Sequence, residues 1–208
     1  APDAGPEPIS EVLAAGKYTG ISGDNEYGLF GAVERNSLQA QGRDFLVGRY
    51  RHEHDGFSLG YLGTAAIHPT LDRDAYLHSV DMNLRLSAGT SLETQVLMSD
   101  IHDPAAAAGT DGHGYGAWAK YDYQPGGRWQ HTLHATWFDP RLDFNDLGYQ
   151  QRANLLKYQS ESFLYIRHYR DGSIADNGNW YLALEAPYTT TGEKLVATTE
   201  LGHFYQWL

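Results

Sequence analysis

Apolar and polar residues alternate with a period of two from about Glu11 onward, in segments of roughly ten residues separated by Gly, Asp, Asn and Pro. A two-residue period places successive side chains on opposite faces of a strand, so the chain is committed to sheet with one apolar and one polar face. Helical periodicity is nearly absent. In the segment Val80 to Leu86, the residues Val80, Met82, Leu84 and Leu86 fall on one face and Asp81, Asn83 and Arg85 on the other. After Ala88-Gly89-Thr90, the segment Leu92 to Met98 repeats the arrangement, and the two form a hairpin.

Further hairpins are expected from Phe45–His54 with Phe57–Ile67 across Asp55-Gly56, and from Tyr115–Tyr123 with Trp129–Phe138 across Pro125-Gly126-Gly127. Both turns carry the Gly that a positive φ favours. The last three strands are expected at Leu155–Tyr169, Trp180–Ala186 and Leu195–Phe204. The fold class is all-β, an antiparallel up-and-down meander of about ten or eleven strands. Pro69–Asp74, Ile101–His113 and Asp139–Gln151 are longer connections among short turns, the alternation that outer-membrane barrels show. Residues 1–10, with Pro2, Pro6 and Pro8, are expected to be a flexible lead-in, and 11–208 a single β-barrel domain.

Composition narrows the function classes. Fifteen Lys and Arg against 26 Asp and Glu leave a net charge of −11, so no nucleic-acid partner is expected. Zero cysteines remove disulfides, thiolate metal sites and Cys nucleophiles. No apolar run approaches the roughly 20 residues of a membrane helix, which leaves a transmembrane barrel open. The polar strand faces carry Ser, Thr, Gln, Asn, Asp and Arg rather than a Lys- and Glu-rich solvated surface. Aromatics, 13% of the chain, gather near strand ends as at Tyr50, Tyr61, Trp129, Trp137 and Trp180, where interfacial girdles belong. In a soluble lectin the same aromatics would be sugar-stacking platforms.

The stretch from Ala15 to about Tyr158 resembles an uncharacterised bacterial outer-membrane β-barrel domain that commonly follows a family-nine-type carbohydrate-binding module. The matching pieces are Ala15-Gly16-Lys17-Tyr18-Thr19-Gly20, Arg43-Asp44-Phe45-Leu46-Val47-Gly48-Arg49, Ser79 to Leu86, and the loop Asp143-Phe144-Asn145-Asp146-Leu147-Gly148-Tyr149-Gln150-Gln151-Arg152. From that loop, Asp143, Phe144, Asn145, Asp146, Gly148, Tyr149 and Arg152 carry the family pattern. The resemblance implies a barrel in the bacterial outer membrane, in contact with lipid. It also implies further protein segments or subunits completing the ring, since the family's chains are longer.

Candidate chemistry is sparse. His52 and His54 share a strand face beside Asp55 but lack a third ligand, whereas His131 and His134, three apart, face opposite ways. Asp139, Asp143 and Asp146 have the residue type for glycoside hydrolysis or calcium binding. The favoured reading is that they order a long loop through Asx turns, with Arg152 pairing a carboxylate. No catalytic residue, metal ligand set or cofactor is assigned. On a barrel, the residues lining the lumen would be Asp81, Asn83, Arg85, Glu93, Gln95, Lys120, Asp122, Lys157, Glu161, Arg167 and Glu185. The expected function is porin-like: passing or docking a small polar or saccharide ligand, or anchoring a partner module. The rival is a soluble β-sandwich that binds or hydrolyses carbohydrate.

Overall fold

A computed structural model describes residues 11–35, 42–68, 72–104, 112–145, 150, 152–167, 169 and 175–207. These contain eleven strands: β1 (Glu11–Ser22), β2 (Asn25–Arg35), β3 (Asp44–His54), β4 (Phe57–His68), β5 (Arg73–Ser87), β6 (Thr90–His102), β7 (Gly112–Gly126), β8 (Trp129–Phe138), β9 (Leu155–Ile166), β10 (Ala175–Tyr188) and β11 (Thr198–Trp207). All belong to one sheet in chain order, each antiparallel to the next, so the expected meander is the observed one. Among the described residues there is no helix and no second sheet. A two-layer sandwich is therefore not the arrangement they adopt.

Local chemistry explains the hairpins. Asp55 and Gly56 have φ of 43° and 81°, the pair of positive values that matches a two-residue turn to the twist of its strands. Val80 pairs with Val96, and Leu84 with Leu92, as the alternation requires. Several strand boundaries differ from expectation. β7 runs on to Gly126 through an irregularity after Tyr123, which moves the turn to Gly127-Arg128. β10 starts at Ala175, ahead of Trp180, and β9 stops at Ile166. β11 starts at Thr198, while Lys194 makes an isolated bridge to Tyr188.

Connections alternate in length. Residues 23–24, 55–56, 88–89 and 127–128 turn the chain at one end of the sheet; 36–43, 69–72, 103–111, 139–154 and 189–197 connect it at the other. Only 167–174 is long at the short-turn end. The strands are also staggered. A ladder line runs from Tyr27 through Tyr50, Tyr61, Val80, Val96 and Ala117 to Trp137. Tyr27 is the third residue of β2 and Trp137 the ninth of β8, so the line climbs six residues in the six steps between them. One residue of about 3.3 Å per step of about 4.8 Å is a slope near 35°, the tilt of barrel strands.

Burial divides the two faces. The register puts Ser58, Ala66, Ala75, Ser79, Leu97, Ser99, Ile101 and Thr136 on one face, and every buried side chain of the strands lies there. Side chains converge on the concave face of a curled sheet and splay on its convex face, so this face is the inward one. The ring is open. β1 pairs only with β2 and β11 only with β10, so the expected closure into a barrel is not seen among the described residues.

Candidate functional site

The inward face carries the polar chemistry. From the register, Asp81, Asn83 and Arg85 of β5, Glu93 and Gln95 of β6, Lys120 and Asp122 of β7, Lys157 and Glu161 of β9, and Glu185 of β10 all point to it. Arg167 does not belong with them. It lies past the end of β9 at the short-turn rim, where it donates to the Gly127 carbonyl at 3.4 Å.

These groups are knitted across strands. The Arg49 guanidinium of β3 spans β4 to grip the Asp81 carboxylate with two donors, one of them at 2.9 Å. Gly60 lies under this bridge, where a Cβ would collide with both partners. Trp118 donates to Gln95 at 2.7 Å, and Gln95 donates to Ser79 at 3.2 Å. Lys120 pairs with Asp122 at 2.8 Å, and Asp122 accepts from Thr132 at 2.6 Å. On β9, Gln159 meets His134 at 3.2 Å and donates to Glu185 at 2.9 Å. Pairing within the wall meets the polar demand of a half-buried surface and leaves alternating charge along it.

A second element occupies this face. The connection after β8 turns inward, and Leu142, 1% exposed, packs on Leu77 and Leu97 beside Trp118, Phe138 and Phe144. Polar bonds hold it from both sides. The Asp143 amide donates to Ser99 of β6 at 3.1 Å, Gln150 donates to the Leu142 carbonyl at 3.0 Å, and the Phe144 amide donates to Gln150 at 3.1 Å. Strand β7 makes room for it by presenting Gly114 and Gly116 inward, and a Cβ on Gly114 would fall on the Arg141–Leu142 backbone. The sequence signal for this groove is Gly112-His113-Gly114-Tyr115-Gly116, glycine at every second residue, which the alternation analysis passes over.

Chemically the loop is architecture. Asp143 accepts from the Asn145 amide at 3.0 Å and from its side chain at 2.8 Å, and Asp139 accepts from the Arg141 amide at 2.7 Å, so both carboxylates close Asx-type turns. Arg73 pairs with Asp103 at 2.7 Å and approaches Asp143 at 3.8 Å. Asp146, Gly148 and Tyr149 lie outside the described residues. Arg152 is described and exposed at the loop's far end. Asp143→Asn keeps one oxygen acceptor for the Asn145 amide, so its expected cost is at most about 1 kcal/mol, measured by thermal unfolding.

The outward face contrasts throughout. Leu46, Leu59, Val80, Val96, Leu133 and Leu184, from six different strands, are all exposed there, Val96 at 59%. His52 and His54 sit on this face near the short-turn end, bonded to Asn25 at 3.0 Å and Asp24 at 2.9 Å. Among the described residues no group of three or more His, Asp or Glu side chains converges as a metal site would require. No known family model, curated protein or solved structure matches the chain. Its geometry alone therefore carries the functional argument. A sheet in water buries its apolar face and exposes its polar one. Here each of β3 to β10 exposes large apolar side chains on its outward face, while the bonded charges lie inward beside the apolar cluster of Leu77, Leu97 and Leu142.

Proposed function

We propose that the chain forms the wall of a transmembrane β-barrel in a bacterial outer membrane, its outward face in lipid and its inward face lining a narrow polar passage for small polar or saccharide solutes. The observation that carries this reading is the inverted amphipathy, with exposed Leu, Val, Tyr and Trp outside and bonded Arg, Asp, Gln, Lys and Thr inside. Three features support it. Strands of 10 to 15 residues are long enough to cross hydrocarbon when tilted. The slope near 35° is a barrel tilt. Short turns at one end and long connections at the other fit a chain whose turns face the periplasm and whose loops face out. The Leu142 loop then narrows the passage from the long-connection end. The bonded charges of this face fit the proposed work of passage and selection by size and charge. The mixed charges Arg49, Asp81, Glu93, Lys120 and Asp122 are the selecting groups, and the net excess of acid favours cations.

Tryptophan supplies the test. Trp129, Trp137 and Trp180 face outward near strand ends, whereas Trp118 faces inward and donates to Gln95. After reconstitution into vesicles of brominated phosphatidylcholine, emission is expected to fall sharply, and Trp118→Phe is expected to leave the quenched fraction unreduced. A chain that folds as a soluble monomer without detergent, with emission indifferent to bromine, refutes the reading.

A further inference from the structure

Beyond the rings that seat Leu142, the inward face carries a second aromatic cluster. It consists of Phe163 and Tyr165 of β9, Tyr181 of β10 and Phe204 of β11. Tyr181 lies between Phe163 and Gly202 in the register, and Asn179, next along the same face, lies between Tyr165 and Phe204. The Phe163 and Tyr165 rings are 6.1 Å apart with planes 12° from parallel, and the Phe163 and Tyr181 rings are 4.9 Å apart and tilted by 35°. Gly202 lets two rings lie against the wall, since a Cβ there would stand 3.2 Å from the Phe204 ring and 3.5 Å from the Tyr181 ring. The four rings thus make a continuous apolar shelf across three strands. We propose that this shelf binds a neutral oligosaccharide, with the C–H face of a sugar ring stacked on Phe163 and Tyr181. The inference rests on the passage reading and gives its solute a place to bind.

Stacking alone would accept any flat apolar ligand, so the polar groups beside the shelf decide its chemistry. Glu161 and Glu200 stand on the adjoining ladder line, on either side of Ala183. Two strand spacings of about 4.8 Å separate them, with only a methyl group between. Both residues are exposed, and neither carboxylate is hydrogen-bonded or ion-paired among the described residues. Asp81, Asp122 and Glu185 of the same face are all bonded within the wall. The Tyr165 hydroxyl donates to Gln130 at 3.2 Å, which holds its ring, whereas the Tyr181 hydroxyl has no partner among the described residues. A sugar ring supplies both complements: an apolar C–H face for the rings, and hydroxyl donors around its edge for the two carboxylates. An ammonium ion fits less well. An aromatic cage holds a cation between rings, which takes two contact layers of about 3.5 Å each, and spacings of 4.9 and 6.1 Å are too short for it.

The test uses the full chain in micelles of lauryldimethylamine oxide, a detergent without a sugar head. Maltotriose, cellotriose and tetramethylammonium chloride are titrated in turn and followed by calorimetry and saturation-transfer NMR. At least one trisaccharide is expected to bind saturably, with transfer strongest at its C–H protons. Tyr181→Leu keeps apolar bulk but removes the ring face, and should weaken binding at least ~10-fold. Phe204→Leu, at a ring 62% exposed, should weaken it in the same direction without burdening the fold. Glu161→Gln combined with Glu200→Gln preserves shape and should weaken binding several-fold, while Tyr158→Ala on the outward face should leave it unchanged. Absence of saturable binding by both trisaccharides overturns the inference. So does sugar binding indifferent to Tyr181→Leu, and so does tetramethylammonium binding in place of sugar that Glu161→Gln abolishes. Bromine quenching in vesicles separates the two claims, because quenching without sugar binding defeats the shelf alone, and no quenching defeats the barrel.

Discussion

Val96→Arg is expected to cost about 2–4 kcal/mol of folding stability in a bilayer, the penalty for a cation near the midplane on a lipid-facing strand. Val96 is the seventh of the 13 residues of β6, lies between Val80 and Ala117 on the outward face, and is 59% exposed. Exposure makes the prediction sharp. At a site bathed in water, replacing an exposed valine changes stability by about 0.5 kcal/mol or less. The two environments therefore predict effects several-fold apart for one substitution. Asn83→Arg is the control. Asn83 points inward between Ser58 and Glu93, where a guanidinium gains an acid neighbour and water, so little loss is expected. Urea unfolding of both variants in vesicles decides the matter: equal losses defeat the assignment of faces, and a neutral Val96→Arg defeats lipid exposure.

Most of the fold was written locally, and what was local was legible. Val80, Met82 and Leu84 alternate because their strand has one face in each environment, and the pairing with Val96, Thr94 and Leu92 follows from the two-residue period. Asp55-Gly56 announced its turn through residues that tolerate positive φ. Boundaries were less legible where backbone pairing outruns the pattern, as where β10 begins five residues ahead of Trp180. The inward path of Leu142 could not be read from its own sequence. It depends on Leu77, Leu97 and Ser99, more than forty positions earlier, and on two glycines of β7. Asp139 and Asp143, whose residue type also suits a catalytic pair, bond their own backbone as the favoured Asx-turn reading expects, and only geometry separates the two.

Gly114→Val is expected to drive the 139–145 segment off the inward face. At Gly114 an added Cβ would fall on the carbonyl of Arg141 and the amide of Leu142, and backbone cannot swing aside as a side chain does. At Gly116, two residues on along the same face, the nearest obstacles are the Leu142 side chain at 2.7 Å and the Phe138 ring at 2.9 Å, both able to rotate. Gly116→Ala is therefore the mild partner of a matched pair. Overpacking a close-packed site costs about 1–3 kcal/mol when the site keeps its shape, and ejecting the segment forfeits the burial of Leu142, for which a Leu→Ala change sets a scale of about 2–5 kcal/mol. Similar costs make release a competitive outcome, and release has readouts that stability lacks. Trypsin should cut after Arg141 in the folded Gly114→Val protein and spare the parent. Proteoliposomes carrying the variant should leak a disaccharide faster, because a segment that narrowed the passage has left it. Leu142→Ala removes the anchor without the collision, and the same two changes in weaker form are expected from it. Should Gly114→Val fold, resist trypsin at Arg141 and leak no faster, the segment is not a constriction, and the polar face alone would have to set what passes.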